Sequence, residues 1–361
     1  MIKTIFPTKT ATLYQATASL NTGQDEIMDI IKIVSGSGGD LMLSRPVIQF
    51  DTAAISASLS AQGIHTGSDS GSLKYFLKAF ISKEEDVAAE YKLVVHPLRQ
   101  SWTAGTGRLE NLPQTTDGCS WAYRTGLAAN ETWSAQGGFF GTTAVVSHVQ
   151  SFSNVTSDIE LDITGLVENW HDGTLANYGI IVKRSGSEET NINEFGKLSF
   201  YSKHTNTIYP PRLEVRYDDS SHAFTTITGS EVTINDDIKI QPRIRPEYVR
   251  GTAERIFVDT VKQFSVRTQA NGVGQYSRAY LPQSSSFAII DNATGEKIIN
   301  HDATYTYIGR TDNTLNYFDL DTTCLFPERY YEVQFKVNYY SGTNVIATRL
   351  YNCEKYFKVV R

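Results

Sequence analysis

Short runs of alternating apolar and polar residues, each closed by Gly, Ser, Asn or Asp, recur along most of this chain and constrain its fold more than any other feature. Leu73-Lys74-Tyr75-Phe76-Leu77-Lys78-Ala79-Phe80-Ile81 mixes apolar and basic positions, and Tyr91-Lys92-Leu93-Val94-Val95-His96-Pro97-Leu98 follows an acidic turn. Further runs lie at 45–50, 179–183, 197–201 and 212–217. A two-residue period places one set of side chains on a core face, and the spacing of the runs is that of a sandwich or jelly roll. The 20 Tyr and 17 Phe far outnumber the 3 Met, a bias that suits a pleated, half-buried surface.

One helix stands out against the strands. In Asp162-Ile163-Thr164-Gly165-Leu166-Val167-Glu168-Asn169-Trp170, apolar residues fall at 163, 166, 167 and 170, which is one face of a helix. Asp162 or Thr164 can cap its start, Gly173 can end it in a left-handed turn, and Trp170 then anchors it to the core. After Tyr217 the texture changes. Asp218-Asp219-Ser220-Ser221-His222 reads as a linker, and Pro242-Arg243-Ile244-Arg245-Pro246, Arg255-Ile256-Phe257-Val258 and Phe264-Ser265-Val266-Arg267 alternate apolar and basic residues. From about Leu281 another set of strands follows, among them Tyr317-Phe318-Asp319-Leu320, Tyr331-Glu332-Val333-Gln334-Phe335-Lys336-Val337 and Tyr356-Phe357-Lys358-Val359-Val360. The expectation is an all-β chain: an N-terminal jelly-roll β-sandwich with one short helix over 1–218, an extended connector with basic strands over 219–275, and a smaller C-terminal β-sandwich over 276–361.

Charge and cysteine usage narrow the partners. A net charge of −6 argues against binding a phosphate backbone, which needs a clustered basic surface, and points to protein or glycan. Cys119, Cys324 and Cys353 are odd in number and widely spaced, which fits neither a disulfide framework nor a zinc site. Cys324 and Cys353 could face each other across paired strands, but reduced core thiols are the preferred reading. The start, Met1-Ile2-Lys3-Thr4-Ile5-Phe6-Pro7, lacks a long apolar signal-peptide core, and no run approaches about 18 apolar residues. A product made in the cytoplasm with no membrane contact is therefore expected, and sequons at Asn130, Asn154 and Asn292 carry no weight.

Catalytic chemistry finds little support. The histidines, His65, His96, His148, His171, His204, His222 and His301, form no HxH or HExxH cluster. His171, beside Asp172 at the helix end, is expected to cap carbonyls and meet the helix dipole. Ser35-Gly36-Ser37-Gly38-Gly39-Asp40 lacks the spacing of a phosphate loop and reads as a hairpin tip. No G-x-S-x-G elbow nominates a nucleophile. Glu84-Glu85-Asp86 and Asp25-Glu26 read as solvated turns, because glycosidase carboxylates must flank a bound sugar.

Binding chemistry leaves three candidates. Trp102, Trp121 and Trp133 could present flat faces to sugar rings or act as lids on the core at the jelly-roll rim; the lid is preferred, and the platform stays open. Asp51 and Asp162 could hold a structural calcium ion, but no EF-type spacing appears and no cofactor is expected. Arg243, Arg245, Arg250 and Arg255 have two equal readings: the solvated side of an edge strand, or a surface docking on an acidic neighbour.

The order of features in the first domain resembles a known family. Ala11-Thr12-Leu13-Tyr14, Arg45-Pro46-Val47-Ile48-Gln49-Phe50-Asp51 and Leu98-Arg99-Gln100-Ser101-Trp102 are followed by Trp121 and Glu131-Thr132-Trp133. The D-x-T-x-x-V-x-x-W helix (Asp162, Thr164, Val167, Trp170), Asn177-Tyr178-Gly179-Ile180-Ile181-Val182 and Pro210-Pro211-Arg212-Leu213-Glu214-Val215 complete the order. This pattern resembles the DNRLRE-type β-sandwich, a jelly roll related to carbohydrate-binding modules, over roughly 5–218, although the family's name-giving string is absent. Tyr280-Leu281-Pro282, Phe287-Ala288-Ile289-Ile290-Asp291, Asn316-Tyr317-Phe318-Asp319-Leu320 and Pro327-Glu328-Arg329-Tyr330-Tyr331 are similar to segments of virion proteins of contractile-tailed, T4-like marine bacteriophages. The resemblance implies a non-enzymatic structural virion protein at the neck, tail or baseplate. Its implied partners are other virion proteins and copies of itself in a symmetric assembly, with no nucleic acid and no membrane. The alternative it implies is a glycan-binding module for host-surface attachment.

Overall fold

In the computed structural model, strand Asp40–Phe50 belongs to two parts of one curled sheet, and the N-terminal architecture follows from that. Its first residues, Asp40 to Leu43, pair with Ser35 to Lys32, whereas Ser44 to Phe50 pair with Tyr14 to Pro7. Ser44 marks the changeover. Its Oγ donates to the Asp29 carbonyl (2.6 Å) and accepts from the Ile31 N–H (2.8 Å), so a side chain supplies bonds that a ladder would otherwise make. On the other edge, pairing with Ile180–Arg184 covers Val47 and Ile48 and stops short of Pro46, which has no N–H to offer.

The structure describes residues 1–361 apart from 36–39, 54–55, 58–72, 144–145, 154–157, 218–229, 264–277, 283, 311–314 and 342–343. It divides into two units, Thr4–Val215 and Met1–Lys3 with Arg216–Arg361. In the first, the curled sheet runs Ile81–Glu85, Gly196–Tyr201, Ile27–Ser35, Asp40–Phe50, Ile180–Arg184, Glu90–Pro97, His148–Ser153, with Pro7–Tyr14 added on Asp40–Phe50. A smaller sheet runs Ile2–Ile5, Arg212–Arg216, Lys74–Ala79, Ile159–Asp162. The expected alternation is visible in it: Tyr75, Leu77 and Ala79 are buried, and the residues between them are half-buried.

The expected helix forms over Thr164–His171 with Leu166, Val167 and Trp170 buried. Asp162 accepts from the Thr164 N–H (2.9 Å) and hydroxyl (2.5 Å), and Gly173 leaves the helix at φ +71°. A second short helix, Gly186–Thr190, corrects the expectation of one. It has only five residues, too few for an apolar period, and Ser185 starts it by accepting from Glu188 N–H at 3.3 Å.

Between Glu90–Pro97 and His148–Ser153 the chain makes a long excursion whose bridges are isolated ones, Leu98↔Phe140 and Tyr123↔Thr132. Buried Asn21 holds it in place. Asn21 Nδ2 donates to the carbonyls of Ala104 (2.6 Å) and Cys119 (2.9 Å), and Oδ1 accepts from the N–H of Gly107 (2.8 Å) and Gly23 (3.3 Å). The amide thus uses both donors and both lone pairs. Gly105 passes so close that a Cβ there would lie 2.3 Å from Asn21 Oδ1, and its φ is +80°.

The second unit is also two-layered. One sheet runs Ser230–Glu231, Arg278–Tyr280, Ala253–Lys262, Asn316–Asp321, Gly309–Arg310, with Ile238–Pro242 added on Ala253–Lys262. The other runs Glu247–Val249, Asn344–Val360, Arg329–Ser341, Ser286–Asp291, Lys297–Ile299. Phe318 of the first stacks on Phe287 of the second at 4.4 Å and meets Phe335 edge-on at 6.0 Å. Ile238–Pro242, Glu247–Val249 and Ala253–Lys262 are strands of this sandwich, although they lie in the stretch expected to be a connector. The expected linker at 218–222, the run at 264–267 and most of the Gly-rich tip lie outside the described residues.

Asn21→Ala would take the Asn21 amide away from two carbonyls and two N–H groups, at about 1–3 kcal/mol for each buried group left without a partner, before relaxation. All 4 tryptophans lie in Thr4–Val215, so their fluorescence reports that unit's unfolding separately. Urea titration should show a loss of roughly 3 kcal/mol or more in this signal. A change below about 1 kcal/mol would mean that Asn21 does not hold the excursion.

Candidate functional site

Trp102, Trp121 and Trp133 are brought together, but inside the molecule. They are 3%, 6% and 3% exposed and pack with Ala11, Leu13, Val47, Leu98, Cys119 and Ile181. The indole N–H of Trp102 donates to the Tyr178 carbonyl (2.8 Å) and that of Trp133 to the Ser120 carbonyl (2.8 Å). The Arg45 guanidinium covers Trp121 at 4.8 Å. No ring face is left for a sugar, so the lid describes these residues and the platform does not. The sequence left both readings open because a tryptophan in an irregular segment looks the same in either role.

Arg45 is itself part of a buried ion cluster. Glu189 accepts from Arg45 Nε (2.9 Å) and Nη2 (2.8 Å) and pairs with Lys183 Nζ (2.7 Å), and Arg45 Nη1 donates to the Gly137 carbonyl (2.8 Å). These charges face one another rather than a cleft and fasten the short helix to the sheet.

Among the clefts of this unit that gather polar side chains, two hold residues singled out in the sequence. One, of about 620 Å³, is lined by Lys9, Gln49, Asp51, Ser56, Trp170, His171 and Asn177 among others. His171 does not cap the helix carbonyls as expected. The backbone N–H groups of Asp172 and Gly173 do so instead, bonding Glu168 and Trp170. The imidazole meets Ser56 Oγ through Nδ1 (2.6 Å) and Tyr75 Oη through Nε2 (3.2 Å), and burial lowers its pKa. This serine–histidine pair has a tyrosine where an acyl-transfer site has a carboxylate. It was not legible in the sequence because the partners are far apart along the chain.

The second cleft, of about 480 Å³, is lined by Tyr14, Asp25, Glu26, Asp29, Arg108, Glu110, Lys197 and Ser199 among others. Asp29 is buried and accepts from Tyr14 Oη (2.7 Å) and Ser199 Oγ (2.7 Å), with Lys197 Nζ at 3.0 Å. Asp25 accepts from the Leu109 N–H through both oxygens at 3.1 Å and is half-buried, not the solvated turn expected of it. Burial is the main cause that raises its pKa to about 6, with the Asp29 charge adding to it and the Leu109 bond opposing.

The four connector arginines lie in the second unit, each met by a group of that unit. Arg243 forks onto Asp259 (2.8 and 3.1 Å), and Arg255 onto Asp319 (2.8 and 2.8 Å) while covering the Tyr317 ring at 4.2 Å. Arg245 pairs with Glu254, and Arg250 lies over the Phe326 ring at 5.5 Å. Cys119, Cys324 and Cys353 are all buried free thiols, and burial pushes the Cys353 thiol up to about 12.

A hairpin of the second unit exposes apolar side chains. Arg329–Ser341 and Asn344–Val360 pair from Arg329↔Val359 out to Ser341↔Asn344. The neighbouring strand Ser286–Asp291 reaches only Lys336. Beyond that point Val337 and Tyr339 remain buried on one face, but Tyr340, Val345 and Ile346 are 41%, 51% and 50% exposed, as is Leu350 (56%), which pairs with Lys336 itself.

Among the described residues no group of His, Cys, Asp and Glu could hold a metal ion, and no helix is long and apolar enough to cross a membrane. Asp162, one of the two residues considered for calcium, is engaged by Thr164. No protein-family model matches the chain, and no curated protein matches it.

A carboxyl raised in the folded state binds its proton more tightly there, so Asp25 stabilises the fold at low pH and that contribution is lost as pH rises through about 6. The stability of the native chain relative to Asp25→Asn should therefore fall between about pH 4 and 6 and stay level above. A flat difference in paired denaturation curves would remove Asp25 as a titrating group.

Proposed function

We propose that this chain is a structural component of a tailed-bacteriophage particle, at the neck, tail or baseplate, which works through protein–protein contacts and not through catalysis. The observation that carries the reading is the hairpin end, where Tyr340, Val345 and Ile346 are each about half exposed on a ribbon without a lateral neighbour among the described residues, next to half-exposed Leu350. A two-stranded ribbon is marginal in water, and clustered exposed apolar side chains mark a surface that another protein covers. The particle itself comes from the sequence resemblance. Buried Trp102, Trp121 and Trp133 and the self-paired arginines leave the hairpin as the better docking element.

Mass spectrometry of purified particles should find the chain at a fixed stoichiometry to the tail proteins. Finding it only among proteins left in the lysate after particles are removed would overturn the reading. A fluorophosphonate serine-hydrolase probe should leave the protein unlabelled, since Ser56 lacks a carboxylate-backed base. Labelling abolished by Ser56→Ala would make the chain an enzyme.

Attachment to a glycan is the second reading, and it now rests on the cleft of about 620 Å³, where Asp51, Gln49 and Asn177 stand beside Trp170 and His171. Glycan-array binding that is lost in Asn177→Ala but kept in a hairpin variant would favour it over assembly.

A further inference from the structure

We infer that His171 is an acid-sensitive latch: a proton taken up at Nε2 breaks its bond with Tyr75, swings the imidazole into the adjoining cleft and releases Ser56 from the end of the helix Thr164–His171. The inference goes beyond the assembly reading and stands without it.

The direction of each hydrogen bond fixes the state of the ring. Ser56 Oγ lies 3.1 Å from the Thr52 carbonyl, which can only accept, so the serine hydroxyl donates there. The serine oxygen then accepts from His171 Nδ1 at 2.6 Å. The ring is the Nδ1–H tautomer, and its bare Nε2 accepts from the Tyr75 hydroxyl at 3.2 Å. In this order every donor meets an acceptor. The reverse order, Ser56 donating to Nδ1 and Nε2–H to Tyr75, leaves the Tyr75 hydrogen without an acceptor among the described residues, on a side chain that is 0% exposed. The first order also keeps His171 from acting as a base on Ser56, because the nitrogen facing the serine already carries the proton.

A proton at Nε2 upsets this order at one point. The nitrogen becomes a second donor facing the Tyr75 hydroxyl, which can accept only by turning its own hydrogen towards nothing. Burial raises the Tyr75 pKa, so the tyrosine does not escape by ionising. The cleft of about 620 Å³, lined by Asp51, Asn177 and His171 itself, offers the charged ring a polar space. Asn177 Nδ2 still holds the Thr52 hydroxyl at 3.2 Å, so the chain stays tied at Thr52 while Ser56 comes away.

The elements packed against the ring carry Glu168 and Asp172 on and just after its own helix, Lys74 beside Tyr75, and Lys9 and Asp51 on the cleft wall. Burial is the main influence on His171 and opposes its charge, and Asp172 favours the charge by less. A histidine lowered in the folded state stabilises the fold above the unfolded value of about 6.5, and that contribution is lost as pH falls below it.

Long-range proton–nitrogen NMR of the full chain with labelled histidines reads both tautomer and titration, and His171→Gln assigns the signal. His171 should be the Nδ1–H tautomer at about pH 7.5 and should titrate below about 6.5. Tyr75→Phe removes the hydroxyl that opposes the proton, so His171 should then titrate higher by roughly half to one pH unit. The Ser56 amide, corrected for its own pH dependence, should exchange several-fold faster at about pH 5 than at about pH 7.5 in the native chain. In His171→Gln the two rates should agree; if that variant fails to fold, Tyr75→Phe, of nearly the same shape in the core, still carries the test. An Nε2–H tautomer, a titration unmoved by Tyr75→Phe, or acid-enhanced exchange at Ser56 that persists in His171→Gln would overturn the inference.

Discussion

A peptide group taken out of water must find a partner, and most of what is particular about this chain is a response to that demand. Where Asp40–Phe50 passes from one partner strand to another, Ser44 supplies the bonds that the ladder cannot. Where the chain leaves the sheet altogether between Glu90–Pro97 and His148–Ser153, Asn21 takes up two carbonyls and two N–H groups at once. Among the described residues, 344–356 pairs on one side only, with Arg329–Ser341.

The apolar and charged groups follow from this frame. Once Asn21 fixes the excursion, Trp102, Trp121 and Trp133 have a sheet face to cover, formed by Ala11, Leu13, Val47 and Ile181. Burying such rings stabilises by a few kcal/mol each. The N–H groups of Trp102 and Trp133 bond backbone carbonyls, and Arg45, which lies on Trp121, has its charge held by Glu189. The excursion is thus a second wall of the core and not a rim of binding loops.

Local signals were legible in the sequence and long-range ones were not. The period of 163, 166, 167 and 170 and the stop at Gly173 gave the helix nearly to the residue, since both depend on neighbours along the chain. The all-β class and the alternation at 74–79 were legible for the same reason. The five-residue helix Gly186–Thr190 was not, because it is set by Ser185 and by Glu189 reaching Arg45 and Lys183. Asn21 carries no local signal, since its partners lie some eighty to a hundred residues away. The basic strands near 243–255 read as a connector because ion pairs such as Arg255 with Asp319 exist only after distant strands meet. The hairpin was visible as strands, but which edge would stay open is a property of the whole sheet.

The central claim is that the outer edge of Asn344–Val360 is open in the free chain and filled in the working one. Amide hydrogen exchange measures this directly. In dilute protein, amides in 344–350 that do not bond to Arg329–Ser341 should exchange quickly, while Val333 to Val337 stay protected, and in the assembled form both should be slow. Fast exchange at 344–350 in both states, or protection already complete in dilute monomer, would contradict the account.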